Sequence, residues 1–230
     1  RNHTVGYRIG RGEPLARIGR WPAPYRSAAA LTHDLEPNRF AYTTGLAALR
    51  SRMAASGHPA TFGLVARAAR RLSAPDRAAL AAADVVCHGL EHRGETVLGT
   101  REEVAAGVVR ARTALQSIFG RSVTGFRSPR LDRAPTLLWA LDRAGFAFDS
   151  SYPDVDRENL LGYGGGVRVN VPYRPPIVTP GEAIRASRCL ELPVSAPDCI
   201  QPLFEGQSLH ALRRAVRRKI DYTCATEALY

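Results

Sequence analysis

Asp34 and Glu36 stand two residues apart, His88 and His92 stand four apart, and Arg127 leads into Ser128 and Pro129. Two imidazoles and one carboxylate make a half-open coordination shell that leaves a position for water. A second carboxylate beside that shell can take a proton from the water. Zinc suits the donor set first, and cobalt, manganese or nickel fit the same ligands. Taken as one group, the residues predict a metal-dependent hydrolase. Each fragment also has another reading. Asp34 alone would be a solvated carboxylate at a strand end, and H-x-x-x-H arises often by chance. The run from His88 to His92 also fits H-x-x-E-H, an inverted zinc-peptidase pattern with Glu91 as base. That pattern belongs within a helix, whereas here the strand-like Val85, Val86 and Cys87 run into His88 and Gly89 follows at once.

The elements that must position these residues follow from hydrophobic runs and their punctuation. Short apolar runs predict strands over 28–35, 60–66, 84–88, 123–127, 146–149 and 190–195. Helical spacing predicts helices over 42–56, 73–83, 101–119, 134–144 and 208–220. Gly57, Gly120 and Gly145 stop three of them, and Thr100 with Glu103 forms a capping box. Alternating strand and helix indicates a parallel sheet or barrel of βα units. In such folds the carboxyl ends of the strands form the working face. Asp34 and Glu36, His88, Arg127 and Asp149 fall at four such ends, a placement that packing does not explain. Period-two alternation puts Thr32, Asp34 and Glu36 on one side of the first strand and His33 on the other, as a packed histidine. Residues 1–27 read as an irregular lead-in, with 28–230 as the catalytic domain. Gly164 to Gly166 and the prolines at 172, 175, 176 and 180 predict a long excursion over 162–188 with one hairpin, serving as a lid or rim.

A chain of 230 residues with a net charge of +11 could suggest a polyanion partner. Almost all of that charge is arginine, Lys219 being the only lysine, and aromatics to stack on bases are few. Arg213, Arg214, Arg217, Arg218 and Lys219 have the spacing of one solvated helix face. No nucleic-acid partner is therefore expected. No run of about 18 apolar residues is present, so no membrane-spanning helix is expected. Cys87, Cys189, Cys199 and Cys224 form no C-x-x-C pair, which favours a reduced, cytoplasmic setting. The start at Arg1, without an initiator methionine, reads as a trimmed N-terminus.

The motifs resemble those of the NodB-homology polysaccharide deacetylases, carbohydrate esterase family 4, over residues 28 to about 195. Thr32, His33, Asp34, Leu35 and Glu36 are similar to the first motif in a D-x-E variant. His88 and His92 match the second, and Arg127 with Pro129 the third. Asp149, Ser150, Ser151 and Tyr152 resemble the fourth. The resemblance implies a distorted (β/α)7 barrel and removal of an N-acetyl, occasionally O-acetyl, group from a sugar or polysaccharide such as a cell-surface precursor. It implies Glu36, His88 and His92 as metal ligands, Asp34 as general base, and Arg127 as its support. A backbone amide near Arg130 would help hold the oxyanion, with Tyr173 and Arg174 as further substrate contacts. Three departures stand out. Glu36 is one methylene longer than the more usual aspartate, and Arg130 replaces a tyrosine. The late histidine that would pair with Asp149 and protonate the leaving amine is not found, since His210 lies in the basic helix. The expectation is a chain cut before its last strand; a non-catalytic glycan-binding domain is the alternative.

Overall fold

The computed structural model describes residues 21–22, 24–38, 40–153, 171–179, 181–195, 208–226 and 229. Residues 1–20 and 23 of the lead-in over 1–27, the glycines at 164–166 and Cys199 lie outside the described residues. In chain order the elements are β1 (Thr32–Leu35), α1 (Leu46–Ser56), β2 (Thr61–Leu64), α2 (Ala66–Ala69), α3 (Ala74–Ala81), β3 (Asp84–Cys87), α4 (Arg101–Phe119), β4 (Gly125–Phe126), α5 (Pro135–Ala144) and β5 (Phe148–Asp149). They continue with β6 (Pro176–Ile177), β7 (Arg185–Ala186), β8 (Leu190–Glu191) and α6 (Leu209–Thr226). A π-helical turn over Ala41–Gly45 leads into α1.

Six strands form one sheet in the order β1-β2-β3-β4-β5-β8, and every neighbouring pair runs parallel. Parallel neighbours need crossovers on the sheet's faces, and the helices between strands supply them. The fold is the α/β arrangement expected from the alternation, with strand ends that share one face. The expected hairpin within the excursion is β6 paired antiparallel with β7. Leu229 bridges Ala28 in parallel fashion, and its carbonyl accepts a hydrogen bond from Ser195 Oγ, so this residue touches both margins of the sheet.

Local sequence accounts for the helix ends. Thr100 accepts from the Glu103 N–H while Glu103 reaches back to the Thr100 N–H, and Gly120 ends α4 in a left-handed conformation. Val104, Val108, Ala111 and Leu115 place one apolar stripe of α4 in the core, against a cluster that includes Leu64, Phe126, Leu137 and Leu141. Each such leucine or valine contributes about 1.5–3 kcal/mol by leaving water.

The expected strand over 60–66 is cut short by tertiary bonds. The Ala66 and Arg67 amides donate to the Gly89 and Leu90 carbonyls at 3.0 Å each, and this turns the chain into α2. The expected strand over 123–127 narrows to Gly125–Phe126; the Arg127 amide still donates across to Cys87, and its side chain turns into the site. The basic helix runs past position 220 to Thr226.

Candidate metal centre

Glu36, His88 and His92 converge so that their ligand atoms all lie within 4.8 Å of one another. The two rings sit 5.1 Å apart between centroids, tilted by 59°. His92 Nε2 is 3.0 Å from Glu36 Oε2, yet without hydrogen-bond alignment. His88 is buried, and its Nδ1–H faces the Arg127 carbonyl at 2.9 Å, which turns the Nε2 lone pair inward. Burial pushes the His88 imidazole down against the pull of Asp34, so the ring stays in its neutral, ligating form. Both Nε2 atoms are buried with no hydrogen-bond partner. Buried polar groups in folded proteins are normally satisfied, and two imidazole lone pairs cannot satisfy each other. The donor set therefore fits a divalent cation.

Asp34 lies beside this set. Its Oδ2 is 4.0 Å from His88 Nε2, and its Oδ1 is 3.6 Å from the Arg127 guanidinium. Arg127 is itself fixed by Thr32 Oγ1 at 2.6 Å, by the Ser150 carbonyl at 2.9 Å and by Ser150 Oγ at 2.8 Å. Thr32 and Asp34 thus share a side of β1, as the alternation requires. Asp34 pairs in register with Gly63 of β2. A Cβ on Gly63 would collide with Asp34 Oδ1, so glycine there is what lets the carboxylate lie across the neighbouring strand. His33 faces elsewhere, its ring tilted against Phe62 at 5.9 Å.

The loop carrying His92 is held from both sides. The two α2 amides bind its Gly89 and Leu90 carbonyls, and the Glu95 carboxylate takes its amides. Burial opposes ionisation of Glu95, but those N–H groups outweigh it and hold the carboxyl below its usual range. Thr96 then ties the loop to the next motif, its hydroxyl 2.9 Å from Ser128 Oγ. Glu91 leaves the site altogether, at 2.8 Å from Arg67.

Asp149 sits at the same face but away from the ligands. It is buried and in register with Glu191 of β8, which is also buried. Ser151 Oγ donates to Asp149 Oδ1 at 2.5 Å, and Glu191 Oε1 accepts from the Ser151 and Tyr152 amides. The remaining oxygens, Asp149 Oδ2 and Glu191 Oε2, have no other partner. Burial raises both carboxyls; Asp149 pushes Glu191 up further, while Glu191 offsets part of the rise at Asp149, so the proton is held more strongly on Glu191.

Residues 23–148 match the polysaccharide deacetylase family. The chain belongs to that family. Among solved structures it is similar to one from Mycobacterium smegmatis assigned to polysaccharide deacetylases, at 21% identity and a TM-score of 0.69, covering 94% of this chain and 79% of that one. It is also similar to Puue allantoinase, at 17% identity and a TM-score of 0.65, covering 96% and 80%. At such identities the likeness concerns the fold. No curated protein matches the chain by sequence.

Within this polysaccharide deacetylase domain, Arg130 lies in a turn with left-handed backbone (φ 56), its guanidinium on Asp132 at 2.6 Å. Tyr173 is not brought to the ligands; its backbone pairs with Glu191 in both directions. Arg174 is also held elsewhere, donating to the Ser187 and Arg188 carbonyls behind the hairpin. Sequence reading does not single out Glu95 or Glu191. Glu191 had a signal, a lone acid in the apolar run Leu190 to Val194 whose alternation turns it inward. Glu95 had a weaker one, a carboxylate in a short stretch bounded by Gly89, Gly94 and Gly99.

Proposed function

We propose that this member of the polysaccharide deacetylase family is a metal-dependent hydrolase that removes an N-acetyl, or an O-acetyl, group from a carbohydrate. The observation that carries the reading is the pair of buried, unpartnered imidazole nitrogens of His88 and His92 converging on Glu36, beside an arginine-backed Asp34. Glu36, His88 and His92 would hold a divalent ion, zinc foremost, which when bound polarises the scissile carbonyl and acidifies water. Asp34 takes the proton from the attacking water at a carboxylate oxygen. Arg127, 3.6 Å away, orients the Asp34 carboxylate for this step. Thr32 and Ser150 hold the guanidinium so that it cannot swing away from Asp34. Arg130, exposed beside the metal loop, is the proposed contact for the sugar at the rim.

A second reading, a domain that holds metal and glycan without turnover, draws on one observation. Asp149, which the family resemblance pairs with a proton-donating histidine, has a carboxyl neighbour in Glu191. Acetate release from acetylated amino-sugar oligomers by the zinc-loaded chain separates the two. The hydrolase reading expects release, lowered about 10²–10⁴-fold in Asp34→Asn with zinc still bound, as loss of a general base requires. Zinc bound with no acetate released favours the second reading, and a chain that binds no divalent metal sinks both.

A further inference from the structure

We infer that Glu95 is a positioning residue that folds the 88–92 loop into its ligating shape before any metal binds, and thereby sets the affinity of the site. The inference rests on the metal reading above. His92 has a left-handed backbone, φ 66, which is uncommon for a residue with a side chain. Something must hold it there. Glu95 Oε1 accepts from the amides of Leu90, Glu91 and His92 at 3.0, 2.9 and 3.1 Å, and Oε2 accepts from Arg93 at 2.6 Å. Four consecutive N–H groups around one anion make a nest, a concavity that elsewhere binds phosphate or carboxylate ligands. Here the chain supplies the anion itself.

The geometry leaves little freedom around that carboxylate. Gly89 has φ +78, and a Cβ on it would lie 2.9 Å from Glu95 Oε1 and 2.9 Å from Pro129. The loop carbonyls are taken by the α2 amides on the opposite side. Glu95 touches no ligating atom, so it acts on His92 through the backbone. The angle and separation of the two imidazoles depend on where that backbone is fixed. A carboxylate is required, because three donors meet one oxygen and a fourth donor meets the other. The amide of a glutamine would set its NH2 against an N–H whichever way it is turned.

Zinc affinity of the metal-stripped chain, measured by competition with a chromophoric chelator, tests this in wild type, Glu95→Gln and His92→Ala. Glu95→Gln is expected to bind zinc about 10–100-fold more weakly, as for other groups that orient metal ligands. A Glu95→Gln protein whose metal-free melting temperature drops while its zinc affinity is unchanged overturns the inference, since a merely structural group would behave that way. Hydrogen exchange on metal-free wild type tests the same point without a variant. The Leu90, Glu91, His92 and Arg93 amides are expected to be protected before zinc is added. Amides that exchange freely and become protected only with zinc also overturn it. A wild type that binds zinc no better than His92→Ala defeats the metal reading instead.

Discussion

At the β1 and β3 ends of the sheet, His88 and His92 leave ring nitrogens without partners beside the exposed Glu36, whereas at β5 and β8 Asp149 and Glu191 face each other in register. Both groups bury unsatisfied polar atoms on one working face, and the difference lies in what those atoms can do for one another. Two carboxyls can share a proton, so the β5–β8 pair is complete once one acid is neutral. Two imidazole nitrogens without hydrogen-bond partners have no such exchange, and only a cation or a proton from outside completes them. Arg127 stands between the groups, touching Asp34 on one side and the Ser150 segment on the other. Thr96, Ser128 and Ser151 run in parallel, linking the metal loop to Asp149.

The largest way to break this contrast is to remove its bridge. Arg127→Ala is expected to cost about 3 kcal/mol in urea unfolding, the lower end for stripping a partner from a buried ion pair because Asp34 keeps some water. It should also impair hydrolysis as strongly as loss of Asp34, since the base loses the guanidinium that orients it. A variant of wild-type stability would mean that Arg127 is a passenger between the two groups.

Gly63→Ala attacks the metal half alone. The added methyl forces Asp34 off β2, at about 1–3 kcal/mol for overpacking. Activity should fall while zinc affinity stays close to wild type, because the collision is with the base and not with a ligand. Equal losses of zinc affinity and activity would show that Asp34 and the ligands move together.

Glu191→Gln probes the other half and should be the mildest change. A glutamine at 191 keeps the oxygen that accepts from Ser151 and Tyr152 and donates to Asp149 as the neutral acid does, so the cost near neutral pH is expected to stay below about 1 kcal/mol. The pH dependence carries the sharper information. Burial and Asp149 raise the Glu191 carboxyl in the folded state, so the folded chain holds a proton that the unfolded chain releases above about pH 4.3. Wild-type stability contributed by that proton is full below the unfolded value and is lost as pH rises toward the folded one. Urea unfolding from pH 5 to 9 should give a falling curve for wild type and a flatter one for Glu191→Gln. Parallel curves would mean that no proton is shared.

Where the chain's own local chemistry decides structure, the sequence was legible. The Thr100 capping box and Gly120 fixed both ends of α4, and apolar runs located the strands whose ends carry Asp34, His88, Arg127 and Asp149. The parts that escaped depend on contacts between distant segments. Ala66 continues the apolar run of β2 and reads as strand, yet carbonyls more than twenty residues later pull it into α2. Glu95 escaped because the amides that it binds are backbone, which leaves no side-chain partner in the sequence. Glu191 was missed because its partner lies one strand over and is also an acid, a pairing that charge rules disfavour until a shared proton is allowed.

The central claim is that the unpartnered imidazoles belong to a metal, and zinc titration of the metal-stripped chain by calorimetry tests it most directly. One zinc per chain is expected for wild type and none for His88→Ala, which removes a ligand without touching Glu95 or Asp34. A wild-type chain that takes up no zinc, cobalt, manganese or nickel, or a His88→Ala chain that binds as wild type does, would contradict it.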